Sequence, residues 1–159
     1  MELMRITNGA VLELGSGLYS TVYLHWACFD KKRKLLTLES KPEYVSMMKN
    51  LRADYHEIRL VEDWAKADLS GEWSVVLVDH SPGKRRPYEA LRLLDAEYVV
   101  LHDTEEVAGK DYYRYKDSGV FEKFKYRFDY KGLIPNTTVL SNKHDLKGLN
   151  EALNRHTCP

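Results

Sequence analysis

The residues with the clearest chemical character form a glycine-containing stretch near the start of the chain, at positions 13–17. A short apolar run precedes the stretch and an apolar segment follows it at 22–28, so the pattern predicts a strand, a turn and a helix. Gly15 and Gly17 allow a sharp turn and a close approach to a ligand, because neither carries a Cβ atom. The unpaired N–H groups at the start of the helix would face that ligand. The pattern is typical of a nucleotide-binding turn.

Two common phosphate-binding signatures fit this turn poorly. The dinucleotide fingerprint has a third glycine, and Ser20 stands in its place here. The P-loop ends in Gly-Lys-Ser or Gly-Lys-Thr, which the stretch lacks. Glu13 would also repel a pyrophosphate. An ordinary strand–helix turn without a ligand is the alternative.

Two later predicted strands end in paired acidic and histidine residues. Asp79 and His80 follow the most apolar predicted strand, and His102 and Asp103 follow the next one. Continuous hydrophobicity predicts strands buried on both faces, and ligands of open parallel sheets bind beyond the carboxyl ends of the strands. We therefore expect the four side chains to form a site. In the alternative, the aspartates bond loop amides and the histidines pack or face solvent.

Candidates for binding an adenosine lie between these stretches. Glu39 closes the second predicted strand roughly 20 residues after the glycines, where an acidic residue bonds ribose hydroxyls, and Ser40 follows it. Asp63 and Trp64 follow the third predicted strand. The alternatives are a capping or surface role for Glu39 and a core-packing role for Trp64.

The order of the predicted elements sets the fold class. Strands that alternate with helices are predicted at 11–14, 35–38, 58–61, 73–78 and 98–101, with helices at 18–30, from 42 onwards and at 87–95. This alternation predicts an α/β fold with a doubly wound, mostly parallel sheet. Residues 106–119 are interpreted as a loop or short helix that forms a lid. Strands at 123–130 and 137–141 are expected to form an antiparallel C-terminal hairpin, followed by a helix at 145–155.

Composition limits the kind of partner. The length of 159 residues predicts one domain over 1–159. The 24 basic and 24 acidic side chains balance, which argues against nucleic acid or an anionic membrane as the main partner. Two cysteines make neither a zinc site nor a disulfide framework, and no signal peptide or membrane span is recognised, so we expect a cytoplasmic protein. The aromatic final strands would suit a homodimer surface.

The ordered set of motifs, over about residues 9–142, resembles the class I S-adenosylmethionine (SAM)-dependent methyltransferases. Their first motif is an acidic residue followed by x-G-x-G, and this sequence has the acid and both glycines at the matching positions, with Thr21 following in the same turn. The resemblance implies a Rossmann-like fold and SAM as the cofactor. The implied cofactor-binding residues are Glu13, Gly15, Gly17, Thr21, Glu39, Ser40, Asp63, Trp64 and Asp79.

The two acidic strand ends resemble one branch of these enzymes, the small-molecule O-methyltransferase and cephalosporin-hydroxylase-like group. The resemblance implies methyl transfer to an oxygen or nitrogen of a small-molecule acceptor, with Asp79 and Asp103 as ligands of Mg²⁺, a cation that prefers oxygen ligands. His80 or His102 would then be the general base. The chain departs from that branch in two ways, since it lacks the longer N-terminal helices and a lysine matching the base of the catechol-type enzymes.

Two other functions remain open from the sequence. An NAD-binding oxidoreductase would share the doubly wound architecture, although Ser20 and Glu13 disfavour it. A degenerate methyltransferase fold that serves as a binding or assembly module would share every structural element. The carboxylates at both strand ends argue against the degenerate module, because a purely structural domain has no need of them.

Overall fold

Seven strands form one sheet in a computed structural model, which describes residues 2–149 of the chain. The strands are β1 (Ala10–Leu14), β2 (Leu35–Glu39), β3 (His56–Leu60), β4 (Trp73–Val78), β5 (Tyr98–His102), β6 (Tyr126–Tyr130) and β7 (Thr137–Ser141). Their order across the sheet is β3-β2-β1-β4-β5-β7-β6. Strands β1 to β5 are parallel, and β7 is antiparallel to both β5 and β6. This confirms the predicted α/β fold and its reversed C-terminal hairpin.

Short helices connect the strands. The α-helices are α1 (Glu2–Ile6), α2 (Ser20–Asp30), α3 (Pro42–Met47) and α4 (Arg86–Ala90), and 3₁₀ turns lie at Lys49–Leu51, Trp64–Lys66, Gly83–Arg85 and Phe121–Lys123. Helices α3 and α4 each have proline in the first turn, where its missing N–H is not needed. The longest described helix, α2, has 11 residues, and none of the helices in residues 2–149 could cross a membrane.

Some predicted boundaries differ from the observed ones. The helix predicted at 87–95 ends at Ala90, and the backbone continues in tight turns in which the N–H of Leu93 bonds the carbonyl of Ala90. The side chains of Ala90 and Leu93 are both buried. Residues three apart lie on the same face of a 3₁₀-type turn as well as of an α-helix, so the sequence pattern fits either structure. Of the helix predicted at 145–155, residues 147–148 form a turn, Leu149 is helical, and 150–155 lie outside the described residues.

The register of the parallel strands places the candidate residues at one edge. Leu14 pairs with Val78, and Val78 pairs with Leu101. The residues that follow these three are Gly15 and Asp79, just beyond the ends of β1 and β4, and His102, the last residue of β5. The apolar side chains of β1 alternate between two core clusters, with Leu12 and Leu14 on one face and Val11 under α2 on the other. Glu13 therefore points to the α2 side of the sheet.

Candidate cofactor and catalytic site

The turn after β1 touches the turn after β4. Gly15 has φ = +92°, and its N–H donates to the carbonyl of Leu38 at 2.8 Å. A Cβ atom built on Gly15 would lie 2.6 Å from both N and Cα of His80. Because the neighbouring atoms are backbone, they cannot rotate away. Gly15 is required both by its conformation and by this close approach.

Substitution of Gly15 by alanine tests this contact. We expect Gly15→Ala to lose roughly 1–2 kcal/mol through the left-handed conformation and about 1–3 kcal/mol more through the overlap with His80. Gly109→Ala is the matched control, since Gly109 has φ = +73° but nothing within 4 Å of a built Cβ. Urea unfolding of both variants measures the difference. Equal losses in the two variants would show that the turns do not touch.

Glu13 supports the turn from beneath. Its side chain is 0% exposed, and its two carboxylate oxygens accept hydrogen bonds from Oγ1 of Thr21 at 3.1 Å and Oγ1 of Thr37 at 2.8 Å. Thr21 Oγ1 in turn accepts a hydrogen bond from the N–H of Gly17 at 2.9 Å. Burial raises the pKa of Glu13 to about 7, although nearby hydroxyls oppose the shift. Glu13 and Thr21 thus hold the glycine turn through its backbone.

Glu39 joins the end of β2 to the same turn. Its Oε2 accepts hydrogen bonds from N and Oγ of Ser16 at 2.8 and 3.0 Å. Its Oε1 accepts from the N–H groups of Ser40 and Lys41 at 2.7 and 2.8 Å. Ser40 Oγ also donates to the carbonyl of Ser81, 3.2 Å away, in the turn after β4. Sequence reasoning missed Ser16, whose position between the two glycines was the available signal.

Asp63 and Trp64 point in different directions after β3. The Asp63 side chain is 48% exposed and accepts a hydrogen bond from the N–H of Ala65. Trp64 is 4% exposed, and its indole N–H donates to the carbonyl of Ser81 at 2.8 Å. The Trp64 ring stacks on His80, with centroids 4.0 Å apart. Asp63 therefore faces solvent at the end of β3, whereas Trp64 packs inwards.

His80 lies apart from the other three ionisable residues at the strand ends. Its side chain is 0% exposed, and its Nε2 lies 3.3 Å from Oε2 of the buried Glu89. The other oxygen of Glu89 forms an ion pair with Arg85 at 2.6 Å. His80 thus lies between the Trp64 ring and α4, where solvent does not reach it.

Asp79, His102 and Asp103 do come together, as their shared edge predicts. Nδ1 of His102 lies 3.4 Å from Oδ1 of Asp79 and 3.1 Å from Oδ1 of Asp103. Asp103 reaches this position with φ = +58°, a backbone conformation that aspartate tolerates better than most residues. The three side chains are partly exposed, by 32%, 34% and 17% in chain order. Among the described residues, these three form the one group whose ligand atoms are spaced closely enough to hold a metal ion.

Arg86, which sequence reasoning missed, bridges the two carboxylates. Its guanidinium nitrogens lie 2.8 Å from Oδ1 of Asp79 and 2.7 Å from Oδ2 of Asp103. The same guanidinium donates to the backbone carbonyls of Asp79, His80 and His102. The ring of Tyr113 covers it, 4.7 Å from the guanidinium carbon. The sequence signal was weak, because Arg86 is one of several basic residues in a predicted loop.

The charges in this cluster compensate one another. Hydrogen bonds to Asp103 and then to Asp79 raise the pKa of His102 to about 10. The hydrogen bond from His102, against the effect of burial, lowers the pKa of Asp103 to about 2. Near neutral pH, His102 is therefore an imidazolium beside the Arg86 guanidinium, and two cations face two carboxylates. His102 is a proton donor at that pH and has no free capacity to accept a proton.

The overall fold matches that of solved structures. The fold is that of the class I methyltransferases. An S-adenosylhomocysteine (SAH)-bound methyltransferase from Podospora anserina, PaMTH1, aligns with 89% of this chain and 74% of its own, with a TM-score of 0.63 and 12% identity. Cofactor-bound Rv0187 from MTB aligns over 90% and 79%, with a TM-score of 0.60 and 15% identity. A methyltransferase from Pyrococcus furiosus aligns over 90% and 81%, with a TM-score of 0.55 and 16% identity.

The likeness is one of fold. No protein-family model matches the sequence, and no curated protein matches it. The structural neighbours share the architecture of the methyltransferases but do not single out the small-molecule O-methyltransferase branch. The function must therefore be argued from the residues of this site.

Proposed function

We propose that this chain is a SAM-dependent methyltransferase that acts as a single domain on an O–H or N–H group of a small molecule. One observation carries the proposal, namely that the glycine turn, Glu39 and Asp79 meet at the carboxyl ends of adjacent parallel strands in this fold. Open parallel sheets bind their ligands at this place. The PaMTH1 structure is SAH-bound and the Rv0187 structure is cofactor-bound, which supports the same ligand here.

We assign the cofactor contacts by position and exposure. The Glu39 carboxylate would take the ribose hydroxyls in place of the Ser16 hydroxyl, which occupies Oε2 in the free protein. The exposed carboxylate of Asp63 would reach the adenine. Glu13 and Thr21 would act through the Gly17 backbone, because both are buried beneath the turn. Trp64 would contribute by packing, as its indole N–H is already bonded to Ser81.

We assign the acceptor site to Asp79, with His102 and Arg86 holding its carboxylate. Methyl transfer from a sulfonium is an in-line displacement, so positioning of the acceptor supplies most of the catalysis. The methyl group leaves sulfur for the acceptor oxygen or nitrogen, and the acceptor proton passes to Asp79 or to solvent. His102 would orient Asp79 and donate a hydrogen bond, since its raised pKa of about 10 prevents it from acting as the base near neutral pH. Buried His80 is left with a packing role.

The residues present fit a magnesium ion poorly. A divalent cation bound by Asp79 and Asp103 would have to displace Arg86, whose nitrogens lie within 2.8 Å of both carboxylates. It would also have to displace the proton of His102. We therefore propose that the arginine supplies the positive charge at this site and that methyl transfer does not need a metal.

A turnover measurement tests the proposed activity. SAH formation from SAM and a mixed pool of phenols, sugars and amines should continue in the presence of a chelator. Asp79→Asn should lower the rate roughly 100-fold or more, because no carboxylate then takes the proton of the methyl-accepting group. Asp68→Asn is the control, since Asp68 bonds only Ser70 on the surface in the described part of the chain. Loss of activity on chelation and its recovery with Mg²⁺ would contradict the metal-free assignment.

A further inference from the structure

A continuous chain of buried hydrogen bonds runs from the far side of α2 to the glycine turn. It begins at the hydroxyl of Tyr55, which lies 2.8 Å from Nε2 of His25. Nδ1 of His25 lies 3.0 Å from Nδ1 of His56, and Nε2 of His56 lies 2.9 Å from Oγ1 of Thr37. The Thr37 hydroxyl donates a hydrogen bond to Glu13, which also accepts one from the hydroxyl of Thr21. The last link is the N–H of Gly17, bonded to Thr21.

The interior members of this chain are shielded from water. Glu13, Thr21 and Thr37 are each 0% exposed, His56 is 1% exposed and His25 is 8% exposed. At the outer end Tyr55 reaches the surface, where it lines a groove with Phe29 and Lys34 among other residues. Burying so many polar groups is costly unless each has a partner, and in this chain each one does. The residues come from α2, β1, β2 and the start of β3.

The ionisation of Glu13 fixes the direction of the bonds along the chain. When Glu13 is a carboxylate it can only accept, so the Thr37 hydroxyl points to Glu13 and must accept from Nε2–H of His56. His56 then has a bare Nδ1 that accepts from Nδ1–H of His25, whose Nε2 accepts from Tyr55. When Glu13 is protonated on the Thr37 side, every one of these bonds can reverse with both imidazoles still neutral. The chain therefore has two complete states that differ in the charge on Glu13.

We propose that Thr37, His56 and His25 are positioning residues that control the ionisation of Glu13 and, through Thr21, the hold of Glu13 on the N–H of Gly17. The ionised state makes a charge-assisted bond to Thr21 and fixes the cofactor turn more firmly than the neutral state does. This inference uses the proposed function only for its consequence in SAM binding. The coupling to Gly17 concerns the free protein.

The charged surroundings place the transition near neutral pH. Burial raises the pKa of Glu13 to about 7, and Asp79, which follows β4, adds to the shift. Burial and the neighbouring imidazole lower the pKa of His56 to about 4, and burial lowers the pKa of His25. Cys28 on α2 has a pKa raised to about 11 by burial, so its thiol is neutral. Among the described residues, no lysine or arginine is hydrogen-bonded to Glu13.

The sign of the effect on binding follows from these charges. SAM carries a sulfonium, so a carboxylate at Glu13 favours it both through the turn and through direct attraction, and affinity should increase as pH rises through about 7. If SAM binds the ionised form tenfold more tightly than the neutral form, its affinity at pH 8 is about fivefold higher than at pH 6. SAH lacks the sulfonium charge, so the pH dependence of its affinity should be smaller and should come from the turn alone.

The experiment follows the Gly17 amide by ¹H–¹⁵N NMR during a pH titration of the free protein. The amide should shift with a midpoint near 7, and Glu13→Gln should abolish that transition. Thr37→Val keeps the β-branched shape but removes the hydroxyl, so it should move the midpoint to higher pH, and Thr37→Ser should restore it. His56→Leu removes the donor to Thr37 but leaves the bond from Thr37 to Glu13, so it should move the midpoint in the same direction by less, and it should add nothing to Thr37→Val in the double variant.

Thr7→Val is the matched control, because Thr7 is a buried threonine whose hydroxyl, among the described residues, bonds only the backbone carbonyl of Leu3. It should leave the Gly17 midpoint unchanged. An unchanged midpoint in Thr37→Val, or a transition that persists in Glu13→Gln, would overturn the inference even if SAM binds. A Gly17 transition that obeys the predictions in a protein that fails to bind SAM at any pH would support the inference and contradict the proposed function.

Discussion

Arg86→Ala is expected to lower the free energy of unfolding by roughly 3–5 kcal/mol, the cost of leaving a buried ion pair without one partner. The Arg86 side chain is 7% exposed and is the cation shared by Asp79 and Asp103. Its loss would leave two carboxylates close together and would free three backbone carbonyls at the ends of β4 and β5. Denaturant unfolding monitored by circular dichroism measures the change.

Two further variants separate the role of Arg86 from a general effect of losing an arginine. Arg92→Ala removes an exposed arginine that also donates to two backbone carbonyls, those of Trp64 and Ala67. It should cost about 1 kcal/mol, in the range of ordinary hydrogen bonds. Arg86→Lys keeps the charge but loses the planar guanidinium, so its loss in the free energy of unfolding should lie between those of Arg92→Ala and Arg86→Ala. If Arg86→Ala costs no more than Arg92→Ala, the bridging role assigned to Arg86 is wrong.

Glu39→Gln is expected to weaken SAM binding roughly 10- to 100-fold, because hydrogen bonds to a charged acceptor contribute about 1.5–3 kcal/mol. The Glu39 carboxylate faces N–H donors on both oxygens, from Ser16 on one side and from Ser40 and Lys41 on the other. A glutamine would turn its NH₂ group towards one of these donors. The ribose would then meet a weaker and misaligned acceptor. Calorimetric titration of the folded variant measures the affinity.

Glu57→Gln provides the control for this substitution. Glu57 is an exposed residue of β3 whose carboxylate pairs with Arg59. It lies away from the carboxyl edge of the sheet, since its partner in the register is Leu36, near the start of β2. Its replacement should leave the affinity for SAM unchanged. An affinity in Glu39→Gln equal to that in Glu57→Gln would remove Glu39 from the cofactor site.

Much of the fold could be predicted because its signals are local. The run of apolar residues in β4 marks a strand covered on both faces, and the glycines after β1 mark a turn. The alternation of strands and helices implied a parallel sheet, and parallel strands bring their carboxyl ends to one edge. For this reason the meeting of Asp79 with His102 and Asp103 was also predictable. The helix predicted at 87–95 was too long because apolar residues spaced by three suit turns as well.

The side-chain directions at the site were not predictable from spacing. Asp79 and His80 are adjacent in sequence, yet one faces the edge of the sheet and the other is buried against Trp64. The backbone of the loop decides this, and such loops have no fixed periodicity. Arg86 was missed for a related reason, since its five polar partners come from two strand ends that only the fold brings together. The partnership of Thr37 with His56 likewise exists only across the β2–β3 pairing.

The central claim, that the glycine turn and Glu39 form a SAM site, is tested most directly by isothermal titration of SAM, SAH and NAD into the chelator-treated protein. We predict micromolar binding of SAM and SAH, no binding of NAD and no change when Mg²⁺ is added. Binding of NAD alone would make the protein an oxidoreductase of the same architecture. Binding of none of the three would contradict the account and leave a methyltransferase fold that serves as a binding module.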